Sequence, residues 1–350
     1  AARFEPYLLF HPSSALDEYL DPGRTTAIPF EFSDYSYRNA HRVAYKILTM
    51  AALHFRHRLD LIYVNTYIDL KFILPIKQLI RVPIVAHIHS EVDDNALRWL
   101  RINSCDKVLF PSRAMMSSAL ENSPWVQAWK FAYVHNAIDT DTFRPGLDVG
   151  PLRRELGLRD DLPVVGEIAT LKRGKGQHLL LEAIHRLRQR GIRAHFLIVG
   201  ADARPDDSFL ARLQRQAAEL EIEDCVQFLG KRRDIPQIMN LCDLVVLPSL
   251  REGLPRVVLE AMACGTPVVA SALECMFEIF EDGHGGSLFQ VNDVDAFAER
   301  MARYFEHPDW WEQQKRSALQ IIQQRFRQEQ HTRAIEDHLV ELLEREGGRS

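Results

Sequence analysis

From about residue 60 onward, short runs of β-branched and apolar residues alternate with longer stretches whose apolar positions recur at helical spacing. That alternation predicts stacked βαβ units and a parallel sheet: strands covered on both faces read as unbroken apolar runs, while crossover helices keep one polar side. Two series of runs are visible. The first comprises residues 61–65, 83–88, 107–110 and 132–135 and ends in the polar, Pro- and Gly-marked stretch 140–151, which reads as a linker. The second comprises 163–168, 195–200, 226–230, 243–248, 267–270 and 287–289, separated by helical stretches such as 208–220. Six strands with helices between them predict a doubly wound domain, in which ligands bind beyond the carboxyl ends of the strands. A long, charged, helical tail follows from Trp310 to Glu346.

Length agrees with this division, since 350 residues exceed one ordinary core and suit two. The boundaries read as 1–147 for the first domain, 148–309 for the second and 310–350 for the tail, which is expected to pack back toward the first domain. Composition excludes a disordered or fibrous chain, with 46% hydrophobic and 26% charged residues. The net charge is -5 and neither half is basic enough for nucleic acid. Five cysteines, odd in number and without a C-x-x-C, imply neither a disulfide framework nor a zinc site, so a cytoplasmic setting fits. Nothing resembles a membrane span or an export signal.

The chemistry concentrates in residues 248–270, PSLREGLPRVVLEAMACGTPVVA. A strand ends at Pro248, a loop carries Glu252, Gly253, Leu254 and Pro255, and a helix runs through Glu260 until Gly265 and Pro267 stop it. If the helix starts near Pro255, the two glutamates face one crevice at different depths and can accept from sugar hydroxyls, while the amides at the helix start point at an anion. Two glutamates on an ordinary surface loop are the plain alternative. A second feature, GEIATLKRGKG at 166–176, runs from a strand end through a basic, glycine-spaced loop that can neutralise a diphosphate, or can simply be a solvated turn. In the first series, His87 and His89 stand two apart at a strand end and share a face; with Glu91 nearby they read either as a metal site or as core and capping histidines.

Read together, these segments resemble the retaining GT-B glycosyltransferases of the large family-four group. Glu252 and Glu260 match its E-x7-E signature, and the wording EGLP…LEAMACGTPVVAS is close to that family throughout. The resemblance implies two Rossmann-like doubly wound domains facing across a cleft, a nucleotide-diphosphate sugar as co-substrate and no cofactor. It assigns Glu260 to the ribose hydroxyls, Glu252 to the donor sugar, and the amides near Gly253 and Leu254 to sugar or phosphate. Lys175 matches the lysine of the family's phosphate loop. Thr170 stands where relatives often carry arginine, so Lys172 or Arg173 is expected to supply that charge. Gly200 and Gly230 would open loops against the nucleotide, with Lys231 beyond Gly230. Glu274 and Cys275 replace the family's Gly-Gly pair, and Ala137 replaces the glycine of its "NGID" element at 136–139. His89 matches the histidine lining the reaction centre, with His87 behind it. Catalysis would then rest on His89, Glu252 and Lys175, without a strong protein nucleophile. The resemblance implies no divalent metal ion.

The same resemblance predicts an opening strand and Gly-rich loop ahead of Glu5–His11, which itself reads as the second strand, so a trimmed N-terminal domain lacking its first strand is expected. Residues 39–58 read as a helix carrying Arg42, Lys46, Arg56 and Arg58 with apolar partners. Such a helix is either a solvated face or a rest on anionic lipid, which leaves peripheral contact with the inner membrane face open for a lipid-linked acceptor. The implied activity is transfer of a hexose to a hydroxyl of a glycan or lipid-linked acceptor in glycan, polysaccharide or glycolipid synthesis. The rival readings are a nucleotide-sugar epimerase or other GT-B enzyme, against which the E-x7-E string argues, and a nucleotide-sugar-binding but inactive or regulatory subunit.

Overall fold

The computed structural model describes residues 4–10, 26–29, 40–65, 67–203, 209–280 and 284–347. The chain divides into two compact units: one holds Ala1–Phe110, Met116–Val134 and Thr332–Ser350, the other Pro111–Met115 and His135–His331.

The first unit contains β1 (Tyr7–Phe10), β2 (Thr26–Pro29), α1 (Ala40–His57), β3 (Ile62–Val64), α2 (Leu70–Ile80), β4 (Ile84–His87), α3 (Asp94–Trp99), β5 (Lys107–Phe110), most of α4 (Arg113–Asn122) and β6 (Phe131–Tyr133). Strands β3 to β6 form a parallel sheet in sequence order, and β1 pairs in parallel with β2 in a separate two-stranded sheet. Strand β4 is buried at every position, as a strand covered on both faces must be. The run expected at 5–11 is a strand over Tyr7–Phe10, and His11 lies outside the described residues. The helix expected at 39–58 is α1; Tyr45, Leu48 and Phe55 on it are exposed, while the side chains of Arg42 and Lys46 lie outside the description.

The second unit contains α5 (Gly150–Glu155), β7 (Val164–Ile168), α6 (Gln177–Gln189), β8 (His195–Val199), α7 (Phe209–Glu219), β9 (Val226–Gly230), α8 (Ile235–Leu241), β10 (Leu244–Leu247), α9 (Arg256–Ala263), β11 (Val268–Ser271), α10 (Glu274–Phe277), β12 (Gly286–Phe289), α11 (Val294–Glu306) and α12 (Pro308–Arg325). Its six parallel strands lie in the order β12-β11-β10-β7-β8-β9. Alternate residues feed two cores, because successive side chains of a strand point to opposite faces. Val164, Val245 and Val268 belong to one, together with α9 and α12; Val165, Leu244 and Val269 belong to the other, together with α6 and α11. The strand order reverses between β7 and β10, and in such sheets the crevice at that switch point takes the ligand.

The tail, expected to be helical, is made of two helices, α12 and α13 (Gln328–Gly347). At the break the Phe326 carbonyl accepts the Ile138 amide at 2.9 Å, while the Phe326 side chain is buried in the core that holds Ile138. Insertion of one large apolar side chain together with a bridge to Ile138 outweighs helix continuation. Beyond the break, Leu339 and Leu342 of α13 pack with Val85, Leu109 and Val134 in the core of the first unit.

Candidate active site

The loops after β7 and β10 leave neighbouring parallel strands at the switch point, and Lys175 and Glu252, both expected at the site from sequence, meet there. Lys175 Nζ lies 2.5 Å from Glu252 Oε1, with side chains only 21% and 11% exposed. Lys175 closes a short 3-10 turn, 173–175, after which Gly176 adopts φ +80 and starts α6. A side chain at Gly176 would place its Cβ 2.0 Å from the Pro248 carbonyl oxygen, so only glycine lets the first loop lie against the end of β10. Leu250 N donates to Gly174 O at 2.9 Å and ties the two loops together.

Gly200 and Gly230 also meet, the amide of the first donating to the carbonyl of the second at 2.9 Å. A Cβ on Gly200 would sit 1.9 Å from the Ala169 carbonyl oxygen. Lys172, Arg173 and Lys231 are exposed on the surrounding loops. Glu260 lies within α9, its side chain 16% exposed, with Arg256 Nη2 at 3.9 Å from Oε1. Burial raises the Glu260 pKa against the opposing charge of Arg256.

Three carbonyls in a row, those of Glu252, Gly253 and Leu254, accept hydrogen bonds from side chains. Cys275 Sγ reaches the first at 3.5 Å, Ser112 Oγ the second at 2.7 Å and Asn136 Nδ2 the third at 2.8 Å. Nearby, Glu278 takes the amides of Arg113 at 2.9 Å and Ala114 at 2.7 Å and the His135 Nε2 at 2.8 Å. Burial of Glu278 raises its pKa, but these three donors outweigh that and hold it below the usual carboxylate range.

The motifs that point to the site assign no role to Ser112, Glu167 or Glu278. Glu167 is fully buried in β7, and neither carboxyl oxygen makes a hydrogen bond. Burial pushes its pKa far up; the neighbouring Lys175 charge opposes this without cancelling it. The one available signal was a charged residue inside the apolar run VVGEI. Ser112 and Glu278 gave no signal, because their partners lie 141 and 165 residues away.

His89 belongs to the other compact unit, just beyond β4. Its Nε2 donates to Asn65 Oδ1 at 2.9 Å, and its ring lies 4.0 Å from that of His87. Buried His87 has the Tyr63 hydroxyl 2.5 Å from its Nδ1. The spacing of two along the chain does put the two rings side by side.

Sequence and structure comparison give the family of this fold. The family described as Glycosyl transferases group 1 matches residues 148–321, and Glycosyltransferase Family 4 matches residues 2–142. The chain belongs to the GT-B glycosyltransferases of this family-four, group 1 type. It is similar to the D-inositol 3-phosphate glycosyltransferase of Stackebrandtia nassauensis, 31% identical over 62% of this chain and 52% of that protein. That of Mycobacterium marinum is 36% identical over 47% of this chain and 35% of its own. The chain thus spans about half the length, or less, of these curated relatives. Among solved structures, Anabaena HepE in complex with UDP and glucose matches with a TM-score of 0.84 at 26% identity, covering 96% of this chain and 91% of that one. A Rickettsia africae glycosyltransferase shares the fold, with a TM-score of 0.84 at 16% identity over 97% of this chain and 90% of its own.

Proposed function

We propose that the protein is a retaining glycosyltransferase that moves a hexose from a nucleoside-diphosphate sugar to a hydroxyl of a glycan or lipid-linked acceptor, with no cofactor beyond the donor itself. The observation that carries this reading is the contact of Lys175 with Glu252 at the switch point. One group is a cation suited to a departing diphosphate, the other a carboxylate suited to sugar hydroxyls, and each is held within reach of the same small volume. On donor binding, Lys175 exchanges its carboxylate partner for the phosphates, and Glu252 turns to the sugar. Glu260, one turn into α9, takes the ribose hydroxyls. Lys172 and Arg173 add positive charge at the loop. The acceptor oxygen bonds to the anomeric carbon on the face from which the diphosphate leaves, and its proton passes to the departing phosphate oxygen. The complexes of Anabaena HepE with UDP and glucose and with UDP-glucose support uridine donors as the first to try.

Incubation with radiolabelled UDP-glucose and a panel of other nucleotide sugars tests the proposal. Release or transfer of labelled sugar is expected from the wild type and not from Lys175→Ala or Glu252→Ala. Tight binding of a donor with no turnover under any condition would instead favour an inactive, regulatory subunit.

A further inference from the structure

We propose that Asn136, Ser112 and Cys275 are positioning residues that orient the donor-facing backbone of the turn at 252–254; this rests on the donor-site reading above. In a trans peptide the N–H and C=O point in opposite directions, so fixing one fixes the other. Cys275 holds the Glu252 carbonyl and Ser112 the Gly253 carbonyl. Those two contacts set the directions of the Gly253 and Leu254 amides, and among the described residues neither amide has an acceptor in the protein. The third carbonyl, on Leu254, is held by Asn136 and precedes Pro255, which has no N–H. That contact fixes the turn's exit into α9, whose first residue is Arg256.

Two buried or half-buried amides, each paired in its peptide with a carbonyl that a side chain holds, offer donors to the oxygens of a sugar or phosphate. The three holding side chains come from three separate segments, so the turn does not depend on its own sequence for its shape. Gly253 then needs no side chain and leaves room for a close approach, while Glu252 stays aimed at Lys175. Ser112 has a second task, accepting the Met115 amide at 3.1 Å as the first turn of α4 begins. Asn136 makes the cleaner probe.

Asn136→Asp keeps the shape and removes the donor. We expect its KM for UDP-glucose to rise about tenfold, the scale of one lost hydrogen bond, with a melting temperature near that of the wild type. Ser112→Ala should do the same, and Ser112→Thr, which keeps the hydroxyl, should restore wild-type KM. Amide hydrogen exchange across 252–258, measured without added nucleotide, should quicken in Asn136→Asp and Ser112→Ala. Unchanged exchange in both variants would overturn the proposal even if the wild type proved unable to use UDP-glucose. So would an unchanged KM in both variants of an active enzyme. A wild type without donor turnover whose variants nevertheless exchange faster would leave the positioning role standing and remove only the catalytic reading.

Discussion

Lys175 and Glu252 neutralise each other in a poorly solvated spot, so removing either leaves a partly buried charge without its partner. Lys175→Met should therefore lower kcat about 100-fold in the labelled-donor assay, the scale of losing one preorganised charge from a transition state. Glu167 makes a different prediction. Its folded pKa is raised, so between the ordinary carboxylate pKa and the folded one the native state binds more protons than the unfolded state. Stability contributed by this position is full at low pH and falls as pH rises. Glu167→Gln should consequently melt higher than the wild type at pH 8 and lose that advantage by pH 4, as read by calorimetry at the two values. At this scale the sequence was legible where a motif was local. Glu252, Lys175 and the two glycines Gly200 and Gly230 came from short strings, whereas Ser112 became visible only once its hydroxyl was seen on a carbonyl 141 positions away.

Among the elements, the start of α6 tolerates little change at Gly176. Alanine there must take φ near +80 and place its Cβ within 2.0 Å of a backbone oxygen. Gly176→Ala should cost more than about 1 kcal/mol in urea denaturation and should raise donor KM, because relief of the clash separates the two loops. Strand positions were read from apolar runs to within a residue or two, since a buried parallel strand leaves little ambiguity: β5 and β9 fall where expected at 107–110 and 226–230. The division of the tail was not legible. Phe326 sits in a helix-compatible stretch, and only its burial beside Ile138 shows why the helix stops there. Phe326→Ala should cost about 3–5 kcal/mol, measured by the same denaturation experiment.

For the molecule as a whole, Glu278 gathers segments that are remote in sequence, with Arg113, Ala114 and His135 donating to its carboxylate and Arg325 to its carbonyl at 2.7 Å. Its depressed pKa means that its contribution is present above the ordinary carboxylate range and lost as pH falls through the folded value. Glu278→Ala should cost about 2 kcal/mol at pH 7, with the gap to wild type closing toward pH 3. Two Rossmann-like domains were legible in the chain from two strand series, but not the way the compact units interleave. The first unit draws its last segment from beyond residue 331.

That interleaving bears on how the protein is made. Leu339 and Leu342 complete an apolar cluster whose other members, Val85, Leu109 and Val134, leave the ribosome some two hundred residues earlier. During synthesis the amino-terminal strands must therefore wait, part of their cluster uncovered, while the six-stranded portion is translated and collapses first. A chain ending at residue 331 should hold a protease-resistant carboxyl-proximal body beside an amino-terminal portion that proteases still cut.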